Sequence, residues 1–231
     1  MSRSKGPFDF LSFAMGEAYA TLGPVNALRS PLMDASDHSA KASRLARSVS
    51  IVGHPMVLVP VAMTLAMRGR VSVAQAAAIL GTVVVAMLAV AAYLVHGVRR
   101  GTLSHVDVSK REERGGFYRV SMAATACAAA ALHFTGAPRS AVVGTACAFA
   151  LFAVGSLVNR VIKASLHTAF AVVAAGVVGV GEPWAFGLLL ATAAAVAWSR
   201  IALSRHTPAE VFVGALLGTV ASLGLAWARN L

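Results

Sequence analysis

Residues 199–210, SRIALSRHTPAE in one-letter code, place two arginines, a histidine and a carboxylate between two apolar runs. Charge at membrane depth is costly, so such a cluster marks a site. His206 and Glu210 are four apart, a spacing that puts both on one helix face within reach of each other. A carboxylate on one imidazole nitrogen fixes the tautomer and stabilises developing positive charge. The other nitrogen is then left as a nucleophile. Arg200 offers a planar fork that matches two oxygens of a phosphate. Thr207 and Pro208 read as a helix N-cap and first helical residue, which would set His206 at a helix start.

Two other polar stretches carry reactive side chains. Residues 107–114, DVSKREER, hold Lys110, Arg111 and Arg114 beside Glu112 and Glu113. They read either as cations for an anionic group or as a solvated run of i,i+3 and i,i+4 pairs. Asp107 is expected to pair with Lys110 or to cap the segment that follows. Residues 163–167, KASLH, bring Ser165 and His167 two apart.

The elements that must position these residues are apolar. The 231-residue chain is 58% hydrophobic and only 13% charged, about half the charge of a soluble domain, and its mean hydropathy is +0.73. This predicts an all-α, polytopic transmembrane helix bundle of about six to seven spans. Hydrophobic segments fall at 50–67, 73–97, 119–134, 139–158, 168–180, 184–198 and 209–227. The fifth and sixth are short for a span of roughly 20 residues. The polar stretches 98–117, 159–167 and 199–208 are each separated by two such segments, so counting alone puts them on one membrane face. Residues 1–48 form a tail whose Phe8, Phe10, Leu11, Phe13, Met15 and Tyr19, mixed with Asp9 and Glu17, suit an interfacial helix. Residues 49–231 form the core. Gly214 and Gly218 make a G-x3-G on the last segment, read as close packing within the bundle, with a homo-oligomer left open.

With those residues in hand, the chain resembles the type 2 phosphatidic acid phosphatase (PAP2) superfamily over roughly residues 50–227. The stretch from Ser199 to Glu210 is similar to the superfamily's third signature, S-R-x5-H-x3-D, with Glu210 in place of the aspartate. Ser165 and His167 match its second signature, P-S-G-H, with Ala164 and Leu166 in place of the proline and glycine. The first signature, K-x6-R-P, is absent at that spacing. The cluster of Lys110, Arg111 and Arg114 is similar to the R-E-E-R variant of shorter bacterial and archaeal members. The resemblance implies a PAP2-like helix bundle and a metal-independent hydrolase without cofactor. Its substrate is a phosphate or diphosphate on a lipid such as phosphatidic acid or a polyprenyl phosphate. It implies that His206 attacks phosphorus, oriented by Glu210, and that His167 protonates the leaving oxygen. Lys110 or Arg111 takes the lysine's role, and Arg114, Ser165 and Arg200 also bind phosphate.

Two rivals share these residues: a headgroup phosphotransferase with the same site, and a non-catalytic transporter or scaffold. The net charge of +11 is read as positive-inside loop bias together with anion binding. Without aromatics interleaved on a basic surface, nucleic acid is not an expected partner. His54, His96 and His105 lack ligand spacing, so no metal site is expected. Cys127 and Cys147 lie in apolar runs and read as packing residues. The localisation expected is a multi-pass protein of the cell membrane. The site shares the face of the N-terminal tail, which is cytoplasmic by its excess of Lys and Arg.

Overall fold

The computed structural model describes residues 31–108, 110–179 and 183–229, with side chains over 42–228 of these. The expected interfacial helix around Phe8–Tyr19 lies outside the described residues. Among those described there are eight helices and no strand: α1 (Pro31–Val52), α2 (Pro55–Met67), α3 (Val73–Arg99), α4 (Arg114–Phe134), α5 (Arg139–Val158), α6 (Leu166–Val178), α7 (Pro183–Ala202) and α8 (Pro208–Arg229). Helices α3, α5, α7 and α8 are long and apolar enough to cross a bilayer. The chain is an all-α bundle of membrane-protein character.

Local chemistry explains the breaks. The apolar run expected at 50–67 is two helices bent by 51° at Gly53-His54. Pro55 opens α2, and the His54 ring accepts the Met56 N–H at its N-terminus. Proline suits a first helical turn, where its missing N–H costs nothing. A reciprocal capping box between Ser72 and Gln75 starts α3. Gly136 takes a positive φ of 70° just before Pro138, which separates α4 from α5. Helix α1 runs through the boundary expected at residue 48, and the compact unit that holds the bundle begins at Ser43.

The short segment after residue 165 is the centre of the fold. Helix α6 has only 13 residues, but eight of them are buried. It packs against α2, α7 and α8, while α4 pairs with α3 and α5, and α5 also meets α8. One apolar cluster joins Leu58 and Ala62 of α2, Ala171 and Ala174 of α6, and Leu189 and Val196 of α7. A second joins Tyr118 of α4, Leu151 and Phe152 of α5, and Leu166 and Phe170 of α6. A helix enclosed on several sides by other helices does not have to reach lipid along its length. This resolves why so short a run can sit among longer ones. The G-x3-G of α8 acts inside the bundle: a Cβ on Gly214 would strike the Ser165 backbone, and one on Gly218 would strike the Ala169 carbonyl. Large apolar side chains on the outer faces of α3 and α8, such as Val85, Leu88, Phe212 and Trp227, are exposed, as lipid contact requires.

Candidate functional site

Three loops meet at one end of the bundle, as counting segments predicts. Arg111 donates to the carbonyls of Arg160 (2.6 Å) and Val161 (3.0 Å), and the Asn159 side-chain amide donates back to the Arg111 carbonyl at 3.3 Å. Arg114 Nη1 donates to the Ala164 carbonyl at 2.8 Å. Lys163 Nζ donates to the Arg205 carbonyl at 3.0 Å and lies 3.5 Å from Glu210 Oε2. The Ser165 N–H donates to the Glu210 carbonyl at 3.0 Å, joining the starts of α6 and α8.

Within this end, His206 and Glu210 form a close side-chain pair. His206 Nδ1 is 2.9 Å from Glu210 Oε2. The same oxygen accepts the Thr207 N–H at 3.1 Å, and the Glu210 N–H donates to Thr207 Oγ1 at 3.3 Å. Glu210 therefore closes a capping box on α8 and orients the histidine with one carboxylate. His206 is only 7% exposed. Burial, then the cations Arg114, Lys163 and Arg200, pull its pKa down to about 2, despite the carboxylate beside it. The ring is neutral at physiological pH. With Nδ1–H donated to Glu210, Nε2 keeps its lone pair.

His206 lines a cavity of about 720 Å³ whose polar end also carries His54, Asp107, Arg114, His167 and Arg200. The rest of the lining is mainly apolar, with Arg70, Thr125, Ser140 and Thr145 as its other polar residues. Ile79, Val83, Met87, Val90 and Leu94 line it along α3, a face about 22 Å long at 1.5 Å per residue. A second, shallower pocket of about 320 Å³ is lined by Lys163, Arg205, Thr207, Glu210 and again His206. His206 therefore borders both spaces.

The two arginines at the polar end are buried, Arg114 to 5% and Arg200 to 3% exposure. Arg114 lies in the first turn of α4 and Arg200 in the last turn of α7, rather than in loops. Arg200 Nη1 donates to Ser50 Oγ at 2.9 Å and Nη2 to Asp107 Oδ2 at 3.2 Å, while its Nε is buried without a partner. Burial alone would raise the Asp107 carboxyl, but Arg200, with smaller contributions from His167 and Arg205, holds the group below the usual carboxylate range. His167 Nε2 is likewise buried without a partner, and the His167 ring meets His54 edge-on with centroids 4.8 Å apart.

Of the residues expected to act, the structure brings His206, Glu210, His167, Arg114 and Arg200 together. Three are placed elsewhere. Ser165 is fully buried, does not line the cavity, and caps α6 by accepting from the Thr168 N–H (3.5 Å) and Oγ1 (3.0 Å). Arg111 is exposed, and its guanidinium is taken by two carbonyls of the neighbouring loop. Lys110 is exposed and lies 3.6 Å from Glu113. Neither basic residue lines the cavity, so the first cluster contributes Arg114 alone.

Sequence reasoning missed Asp107, His54 and Ser50 at this end. Asp107 was expected to pair with Lys110 or cap α4; it pairs with Arg200 instead. The only signals were an acid in a basic loop and a histidine beside Pro55 in an apolar run. Among the described residues, no three His, Cys, Asp or Glu side chains form a metal-holding group. No family model, curated protein or solved structure matches the chain.

Proposed function

We propose that the protein is a PAP2-like integral-membrane phosphatase that releases phosphate from a lipid phosphate or diphosphate. The observation that carries this reading is a buried histidine held at 2.9 Å by a carboxylate, at the polar end of a long, mainly apolar cavity that also carries two buried arginines. An anionic headgroup with a hydrocarbon tail has the same polarity pattern as that space. The tail lies along the α3 face, and the phosphoryl group meets Arg114 and Arg200.

In this mechanism His206 Nε2 bonds to phosphorus as the bond from phosphorus to the lipid oxygen breaks. Charge on the phosphoryl oxygens is met by the arginines, where low dielectric makes such contacts strong. His167, protonated once the phosphoryl dianion lies beside it, delivers the proton that a lipid alkoxide needs to leave at neutral pH. Water then attacks the phosphohistidine, gives its proton to His167, and orthophosphate departs. The shallow pocket on the Lys163–Arg205 side offers water a way to His206 without crossing the apolar cavity. The proposal includes seven crossings, with α1 and α2 together making the first. It also places the site on the cytoplasmic face, on the positive-inside reasoning given above.

The test is inorganic phosphate release by detergent-purified full chain from phosphatidic acid, phosphatidylglycerophosphate and prenyl mono- and diphosphates, with EDTA present. Release that continues in EDTA and stops in His206→Ala is the expected result. No release from any of these lipids, or unchanged release by His206→Ala, would overturn the reading.

A further inference from the structure

Both cavity arginines are held by one short segment. Arg200 Nη2 donates to the Asp107 carboxylate at 3.2 Å, and Arg114 Nε donates to the next carbonyl, that of Val108, at 3.0 Å. Asp107 and Val108 themselves line the cavity. The segment is pinned at its start, where the N–H and hydroxyl of Ser104 donate to Glu113 Oε2 at 3.0 and 2.9 Å. It then turns tightly: the Asp107 N–H donates to His105 Nδ1 at 3.1 Å and the Val108 N–H to the His105 carbonyl at 3.0 Å.

This turn is under strain. Val108 has a φ of +44° with its side chain buried to 3%. A β-branched residue in the left-handed region is a genuine outlier, and it persists only where the surroundings hold it. Here they are the burial of Val108 and the two arginine contacts. The arrangement sets one arm of a buried guanidinium, Arg200 Nη2, on an internal carboxylate, in the place where a ligand anion would be gripped.

We propose that Asp107 is an internal anion that holds Arg200 until substrate binds, and that the phosphoryl group of the substrate displaces it together with the turn at residues 105–108. The inference rests on the phosphatase reading and adds a selection step to it. A terminal phosphoryl group carries up to two negative charges and outcompetes a single carboxylate at a guanidinium. A phosphodiester carries one and gains little by the exchange. Asp107 thereby keeps the abundant phosphodiester lipids of the bilayer from occupying the site. The strained turn lowers the cost of release, and the Ser104–Glu113 anchor keeps the segment close for return.

Two measurements on detergent-purified full chain test this. In wild type, amide hydrogen exchange at Asp107 and Val108 should speed up on saturation with inorganic phosphate, because the turn is released; ordinary binding against an intact loop would slow it. In calorimetry, Asp107→Asn should bind inorganic phosphate at least tenfold more tightly than wild type and should gain measurable binding of dimethyl phosphate. Slower exchange in wild type, or phosphate affinity in Asp107→Asn that is unchanged or weaker, would overturn the exchange mechanism while leaving the phosphatase reading intact. Wild type that binds no phosphate overturns both. Should Asp107→Asn fail to fold, the wild-type exchange measurement decides alone.

Discussion

Gly214 of α8 is pressed against the Ser165 backbone at the start of α6, so closely that a Cβ at 214 would collide with the Ser165 carbonyl. The Ser165 N–H donates to the Glu210 carbonyl one turn earlier on α8. This crossing sets the distance between the helix that carries His167 in its first turn and the helix that carries Glu210. Gly214→Ala should therefore cost about 1–3 kcal/mol, the usual penalty for overpacking, and lower the thermal midpoint in detergent. Gly224→Ala, where a Cβ would meet open space, should leave the midpoint unchanged or slightly raised. Equal behaviour of the two variants would contradict the packing described.

Glu210 has two duties, and they separate by substitution. Glu210→Gln keeps a side chain able to cap α8 but removes the charge that orients and supports the His206 ring. Phosphate release should fall by about three to four orders of magnitude, by analogy with the loss seen when the triad aspartate of a serine protease becomes an amide. Glu210→Asp keeps the charge one methylene further from His206 and should retain much more activity than the amide. The measurement is kcat for both variants beside their thermal midpoints.

The depressed pKa of His206 has a sign. A histidine neutral in the fold with a pKa near 2, against 6.5 when unfolded, takes its proton first in the unfolded chain. Folding stability is then fully present above pH 6.5 and is lost as pH falls from 6.5 toward 2. The slope from this residue is at most about 1.4 kcal/mol per pH unit. His206→Asn, which cannot take that proton, should show a shallower fall in thermal midpoint between pH 6.5 and 4.5 than wild type. Parallel curves would mean that His206 titrates normally in the fold.

Much of the architecture can be read directly from the residues. Apolar runs bounded by Gly136 and Pro138, or opened by Pro208, are helices close to where the runs begin and end, whereas the run at 50–67 is divided between two helices. Two helices run further into the polar stretches than the apolar runs suggest, because helix propensity does not stop at a charge: Arg114 opens α4 and Arg200 lies in the last turn of α7, each buried by partners from other segments. Which short helix sits at the centre is not written locally. The apolar, Ala-rich run of α6 looks like any other until α2, α7 and α8 close around it. The Asp107–Arg200 pair spans 93 positions, beyond the reach of any spacing rule. Counting segments put the two loops on one face but could not match the partners.

The basic cluster at 110–114 divides into one buried residue and two outer ones. Arg114→Lys cannot reach both carbonyls that Arg114 now satisfies, at Val108 and Ala164, and it loses the fork at the cavity. Phosphate release should drop about a hundredfold or more, the scale for losing an oxyanion-stabilising donor. Lys110→Ala removes an exposed partner of Glu113 and should leave release within about twofold, since exposed ion pairs contribute little. Comparable losses in both variants would return Lys110 to the site.

The central claim is that His206 becomes covalently phosphorylated. The direct measurement is rapid quench of purified protein with lipid labelled at phosphorus-32, followed by peptide mapping. The account predicts a label on His206 that is stable to base and labile to acid, absent from His206→Ala. The label should accumulate in His167→Ala wherever the first step still proceeds. Turnover at full rate with no protein-bound phosphorus, or a label that persists in His206→Ala, would contradict it.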